Sequence, residues 1–367
     1  MSRKLSITIV ICVASLVCIG LVMIYSASSY VAKLQLHDSL YYVKKQLGGV
    51  IVGIFLFVGA MFFDINLLKK CRVWILIISY ILLALVFIPG LGVESYGAVR
   101  WINLGFTTMQ PSEISKFGLI IYIASYMVDK DMTKWRHILV VIAFSLGMCL
   151  LIMLEPNMSI TMCVILSVFV LLVSSGLKFS QMATIAVPAL IGVIALIILE
   201  PYRFDRLLAF IDPWASPKDE GYQLIQSYYA IGNGGLFGVG LFNSRQKYLF
   251  LPFAESDFIF SIICEELGLI GAITIIGIFA VLIVSGIVIA LRAKDAFGCY
   301  LAIGIVAIIA VQTLVNIAVV SGSMPPTGLP LPFISAGGSA VAIFMGATGL
   351  LVNIDKNSQS KLLRHSI

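Results

Sequence analysis

Asp257 is followed at once by Phe258-Ile259-Phe260, where a polar stretch gives way to a long apolar run. A carboxylate at such a boundary loses part of its hydration, which raises its pKa and suits it to take a proton from a hydroxyl. The same position suits a cap for the helix that follows, and the local pattern leaves both readings open. Cations precede it. Arg203 and Arg206 share a face if 201–210 is helical, and Arg245 and Lys247 come just after the glycine-dense run 232–240. Such a run either lets backbone N–H groups approach an anion or packs tightly. Glu265 and Glu266 lie further on, and on a straight helix they would stand about 80° and about 180° away from Asp257. Carboxylates at membrane depth either serve function or pair with a neighbouring Lys or Arg. Upstream, Gln110-Pro111-Ser112-Glu113 reads as a helix start with Lys116 one turn on. That pair is either a local ion pair or a cation placed to meet a phosphate.

The elements that must position these residues follow from composition. Of the 367 residues, 60% are hydrophobic and 11% charged, against roughly 25% charged in soluble domains. This excludes a soluble enzyme, a disulfide scaffold and a disordered chain, and predicts an all-α polytopic membrane protein. Apolar runs predict ten transmembrane helices, near 5–25, 46–63, 72–90, 113–128, 137–154, 157–175, 180–199, 265–291, 297–321 and 334–354. The first is too long for a signal peptide and is read as retained. Glu155-Pro156-Asn157 is the only break between the fifth and sixth spans. Residues 1–367 then form one integral membrane domain, with 200–264 as a large extracytoplasmic loop between helices 7 and 8. Shorter outer loops are 91–112, which carries Glu94 and Arg100, and 322–333.

Charge sets the orientation. Short segments on the N-terminal side hold Arg3, Lys4, Lys69, Lys70, Arg72, Lys130, Lys134, Arg136, Lys178, Arg292, Lys294, Lys356, Lys361 and Arg364, which places both termini in the cytoplasm. The net charge of +6 therefore belongs to topology, and no basic run is long enough to predict nucleic-acid binding. The seven cysteines have no metal-ligand spacing, and three histidines are too few for a His-ligated metal or a Ser-His-Asp triad to be expected.

Several blocks, in order and at loop positions, resemble the SEDS family (FtsW/RodA/SpoVE) of bacterial shape, elongation, division and sporulation proteins. They are Arg100-Trp101-Ile102 with Gln110-Pro111-Ser112-Glu113 and Lys116; Pro201-Tyr202-Arg203 with Arg206; Asp212-Pro213-Trp214; Gly221-Tyr222-Gln223; Gly234-Gly235-Leu236-Phe237-Gly238; Ser244-Arg245-Gln246-Lys247; Asp257-Phe258-Ile259-Phe260 with Glu265-Glu266; and Asn316 with 327–335. The Thr327–Pro332 block looks most like the division and sporulation branch. The chain departs from the family at Asn157, where relatives commonly carry Asp, at Phe253-Ala254-Glu255-Ser256, and at Ala336.

The resemblance implies a peptidoglycan glycosyltransferase that polymerises lipid II at the outer face of the bacterial cytoplasmic membrane. Asp257 would be catalytic, with Arg100, Glu113, Lys116, Arg203, Arg206, Gln223, Arg245, Lys247 and Glu266 binding substrate. The acceptor's 4-hydroxyl attacks the donor's anomeric carbon and polyprenyl pyrophosphate leaves, which calls for a base and for cations. Mg²⁺ or Mn²⁺ would assist that departure, with Asp257 as base or as ligand; no organic cofactor is expected. The implied partners are a class B penicillin-binding protein and other divisome or sporulation membrane proteins. A lipid II flippase and a non-enzymatic scaffold for the penicillin-binding protein are the alternatives. The topology carries a direct test: a cysteine introduced near Lys218 should react with an impermeant reagent added outside, and one near Lys134 should not. Labelling of both would contradict the ten-span reading.

Overall fold

The computed structural model describes residues 3–364 except 96–97, 104, 106–107 and 199–200. Glu200, taken above as the start of the large loop, and the side chain of Arg203 lie outside the described residues. The helices are α1 (Arg3–Leu36), α2 (Tyr41–Phe62), α3 (Ile65–Lys70) and α4 (Arg72–Leu85), then α5 (Pro111–Asp129), α6 (Trp135–Leu154), α7 (Met158–Ser174) and α8 (Phe179–Ile198). They continue with α9 (Pro201–Ile211), α10 (Tyr222–Gly234), α11 (Ile259–Leu291), α12 (Ala296–Val320) and α13 (Gly338–Arg364). Among the described residues six of them, α1, α2, α6, α11, α12 and α13, are long and apolar enough to cross a membrane. The helix-rich expectation holds.

Three differences from the sequence reading have physical causes. First, the chain is not all-α. The stretch 91–112 holds a small antiparallel sheet, β1 (Gly92–Ser95), β2 (Ala98–Asn103) and β3 (Thr108–Met109), paired in that order. Val93 pairs opposite Trp101 and Ile102 opposite Met109, and Val93, Trp101 and Ile102 are β-branched or aromatic residues that favour a pleated surface. Second, α1 continues well past Tyr25, to a length of about 51 Å. Its C-terminal end is held by the 236–248 segment, with Tyr25 edge-on to Phe242 and Tyr30 edge-on to Tyr248. Third, 200–264 is not a plain loop. It contains α9, a 3₁₀ turn at Pro213–Ala215 and α10, and α11 begins at Ile259 instead of 265.

Helices α2 and α13 pack against one another at backbone distance. A Cβ on Gly49 would fall 2.4 Å from Gly338 Cα, and one on Gly338 would fall 2.7 Å from Lys45 O. In an apolar solvent such close contact replaces the missing hydrophobic drive. At one end of the bundle Asp129 of α5 pairs with Lys69 at 3.1 Å and with Arg72. This gathers the basic segments expected on the N-terminal side. Gly49→Leu should therefore force α2 off α13 and destabilise the protein by at least roughly 1–3 kcal/mol. A fall in melting temperature in detergent, without a change in the membrane insertion of α1, is the result to look for.

Candidate functional site

Asp257 lies in the turn that leads into α11 and is half-buried. Two loops are laced together around it. Asn316, at the far end of α12, donates from Nδ2 to Asp257 O at 2.8 Å and to Leu329 O at 2.7 Å. The Ser335 hydroxyl donates to Ser256 O at 2.6 Å and accepts from Leu331 N at 2.7 Å, and Ala336 N donates to Glu255 O at 2.9 Å. Gln46 of α2 closes the lacing, donating to Ser335 O and accepting from Gly337 N. Gly328 lies against the carboxylate itself: a Cβ there would stand 3.1 Å from Asp257 Oδ2. Burial raises the Asp257 pKa to about 6, helped by the nearby Glu255 carboxylate and opposed by Arg206 and Arg100. Burial raises Glu255 as well. A carboxylate with such a pKa is ionised at neutral pH and basic enough to accept a proton.

The two arginines are held by backbone oxygens. Arg206 of α9 donates to Pro326 O at 3.3 Å. Arg100 of β2 donates to Glu155 O at 3.0 Å and Pro156 O at 2.5 Å, so the sheet delivers its guanidinium to the break between α6 and α7. Glu155 itself is fully buried with neither carboxylate oxygen hydrogen-bonded, and burial pushes its pKa to about 8. Glu155 and Glu255 did not stand out in the sequence as site residues. Their signal was a carboxylate inside a family block that departs from the usual pattern.

Four other ionisable residues expected at the site, Glu113, Lys116, Lys247 and Glu266, fall in two separate buried clusters. Lys116 Nζ lies 2.8 Å from Glu113 Oε2 and donates to Gln312 Oε1 at 2.8 Å, and Gln312 Nε2 donates to Pro330 O at 2.9 Å. The ammonium also sits 4.6 Å from the Phe344 ring centroid. With both side chains 1% exposed, Glu113 and Lys116 form an internal pair that props up the 327–332 loop. In the second cluster Lys247 Nζ donates to Glu266 Oε1 at 2.9 Å and to Ser26 Oγ of α1 at 3.0 Å. Glu265 accepts from the Ser244 hydroxyl and from Arg245 N at 3.1 Å. Arg245 is exposed and Lys247 buried, so the two cations near the glycine run face different surroundings. Gln223 is half-buried near the start of α10.

The glycine run packs tightly. Helix α11 is broken at Gly268, where φ is 66°. The segment 235–240 is inserted at the break. Val239 N donates to Glu265 O at 2.9 Å and Gly240 N to Glu266 O at 3.1 Å, while Leu269 N and Ile270 N donate to Gly235 O and Leu236 O. A Cβ on Gly238 would collide with Glu266 O at 2.1 Å. Among the described residues no group of three or more His, Cys, Asp or Glu side chains is arranged to hold a metal.

Comparison with known proteins places this architecture. The FtsW/RodA/SpoVE family profile, described as cell cycle protein, matches residues 6–360. Stage V sporulation protein E of Bacillus subtilis is 38% identical over 358 residues, covering 96% of this chain and 97% of that protein. A probable peptidoglycan glycosyltransferase FtsW of Trichlorobacter lovleyi is 40% identical over 355 residues, covering 95% and 92%. A structure described as the structural coordination of polymerization and crosslinking by a peptidoglycan synthase complex superposes with a TM-score of 0.78 at 26% identity, covering 95% and 97%. The rod shape determining protein RodA of Thermus thermophilus shares the fold, with a TM-score of 0.70 at 23% identity over 95% and 96%.

The two cations near the glycine run should behave differently when replaced. Lys247→Ala leaves the Glu266 carboxylate buried without its partner and should cost roughly 3–5 kcal/mol. Arg245→Gln should leave the melting temperature unchanged. Thermal unfolding of the two variants in detergent separates them, and equal melting would contradict the buried pair.

Proposed function

Because the chain belongs to the FtsW/RodA/SpoVE family of cell-cycle proteins, we propose that it is a peptidoglycan glycosyltransferase that polymerises lipid II into glycan strands. The relatives named for this activity or for sporulation support a septal or sporulation role. The observation that carries the reading is the setting of Asp257: a carboxylate lifted to about 6, flanked by Arg100 and Arg206, under two laced loops. Asp257 takes the proton of the acceptor's 4-hydroxyl as that oxygen attacks the donor's anomeric carbon. Arg100 and Arg206 stabilise the charge gathering on the departing pyrophosphate. Arg203, Gln223 and Arg245, on α9, α10 and the segment after it, extend the substrate contacts. Glu113, Lys116, Lys247 and Glu266 act on substrate through the loops they hold.

Mg²⁺ or Mn²⁺ fits this site on its donor chemistry, since both are hard cations that take oxygen ligands. Asp257 and Glu255 would hold the ion, beside the buried Thr327 Oγ1 and Asn316 Oδ1, which lack hydrogen-bond partners. Bound there, it would add positive charge for the leaving group.

Ten spans with both termini in the cytoplasm suit the same reading. The shorter or more charged helices α4, α5, α7 and α8 complete the six long ones, and the clustering of Lys69, Arg72 and Asp129 at one end supports the charge-based orientation. The Asp257 site, α9, α10 and the sheet then face outward in the bacterial cytoplasmic membrane. A class B penicillin-binding protein is the partner we propose, supported by the likeness to a synthase complex that coordinates polymerization and crosslinking.

Asp257→Asn should lower lipid II polymerisation by at least about 10²-fold, the usual scale for loss of a general base, while insertion and monodispersity in detergent persist. Near wild-type glycan synthesis by the purified variant would refute the assignment. The acidic limb of the wild-type rate profile should fall near pH 6, because Asp257 must be deprotonated to act. Glu255→Gln removes a repulsion and should shift that limb to lower pH. Arg206→Gln removes an attraction and should shift it to higher pH.

A further inference from the structure

At the end of the bundle remote from Asp257 the surface opens into a cavity of about 460 Å³ lined in part by Asp64, Asn66, Lys294, Asp295 and Lys356. The remoteness follows from α12: Asn316 touches the Asp257 turn, whereas Gly298 lines this cavity and lies about 27 Å away along the helix. An apolar groove of about 420 Å³ runs up from it between α2, α5, α12 and α13, lined in part by Phe55, Gly59, Ile121, Leu301 and Leu350. The two adjoin. Phe63 lines both, and the lining passes from groove to cavity within about one helical turn on each of three helices: Gly59 to Phe63, Leu301 to Gly298, and Leu350 to Ile354.

The polar end is charge-balanced and its lysines are uncommitted. Among the described residues neither Lys294 nor Lys356 reaches a carboxylate within ion-pair distance. The Lys356 ammonium is kept 4.5 Å from the Phe62 ring centroid, at the cavity wall, and Lys294 is anchored through its own N–H to Ser358 Oγ at 3.1 Å. Asp64 and Asp295 each use Oδ1 to cap a helix, accepting from Asn66 N at 2.9 Å and Gly298 N at 2.7 Å. The cavity thus offers two ammonium groups and two carboxylates side by side, below an apolar slot. A protein helix about 10 Å across would fill roughly 420 Å³ in a single turn, so the slot is too small for one. A hydrocarbon chain fits, and since lipid tails are as apolar as the groove wall, selectivity must come from the polar end.

We propose that this slot binds one amine-bearing phospholipid, of the phosphatidylethanolamine type, from the leaflet remote from Asp257. Its acyl chain runs past Gly59. Its phosphate meets Lys294 and Lys356, and its ammonium meets Asp64 and Asp295. The groove exists because Gly59 has no side chain: a Cβ there meets nothing within 4 Å, so Gly59→Leu fills the slot without clash.

The test is native mass spectrometry of the full chain, delipidated in detergent and titrated with phosphatidylethanolamine or phosphatidylglycerol. The wild type should bind one phosphatidylethanolamine in preference to phosphatidylglycerol. Lys294→Gln with Lys356→Gln, both at exposed positions, should weaken that binding on the order of tenfold. Gly59→Leu should abolish it with melting temperature unchanged. Equal uptake of phosphatidylglycerol would overturn the matched headgroup, and unchanged uptake by Gly59→Leu would show an annular lipid only and overturn the site.

Discussion

The break in α11 is the constraint on which the setting of Asp257 depends. Two helical hydrogen bonds are given up at Gly268, and four bonds to the segment 235–240 replace them. Inside a membrane no backbone group can be left to water, so a helix can break only where another stretch of backbone supplies the missing partners. The glycines of 235–240 make that approach possible. Their insertion fixes the extended chain after α10, and with it Ser244 to Lys247, which the adjacent Glu265 and Glu266 clamp through side-chain bonds. The chain then has only ten residues in which to reach Asp257. The short piece of α11 before the break presents that residue at its head.

Two buried ion pairs extend the same logic. Lys116 with Glu113 and Lys247 with Glu266 are each desolvated, and a lone charge in either place would be far costlier than the pair. Each pair links elements far apart in sequence: Lys247 reaches α1 through Ser26, and Lys116 reaches the 327–332 loop through Gln312. Neither lysine is placed to lend its charge to a ligand in the open. The guanidinium groups of Arg100 and Arg206, whose planar forks suit a phosphate, are the cations whose fields reach Asp257.

Much of this was legible in the sequence. Composition and apolar runs gave the helical membrane architecture, and the ordered motif blocks pointed to Asp257, Arg100 and Arg206. The i,i+3 spacing of Glu113 and Lys116 already allowed the pair that forms. What was not legible depends on contacts between distant segments. The strands at 92–109 are too short to give a periodic signal, and they matter because they carry Arg100 to the α6–α7 break. Glycine density at 232–240 fits an anion cradle as well as a packed insertion, and only the position of Gly268 on another element decides between them. Lys247 looked equivalent to Arg245, two residues away, until Glu266 and Ser26 were brought to one of them. Asn316 was visible as a motif residue, but its role of tying two loops cannot be read from one position.

The balance of charges at Asp257 has a consequence for the proposed reaction. Its pKa is lifted by burial and by Glu255 and held down by Arg206 and Arg100. A donor pyrophosphate seated on those arginines would take up part of their field and add negative charge beside the carboxylate. Both changes disfavour the ionised form, so Asp257 would become more basic once the leaving group is in place. The arginines would then have two linked effects: they lower the barrier to pyrophosphate departure, and their occupation strengthens the base that activates the acceptor. A lysine pair locked to buried glutamates could provide neither, whereas Arg100 and Arg206, each anchored to backbone carbonyls, act on Asp257 through their fields.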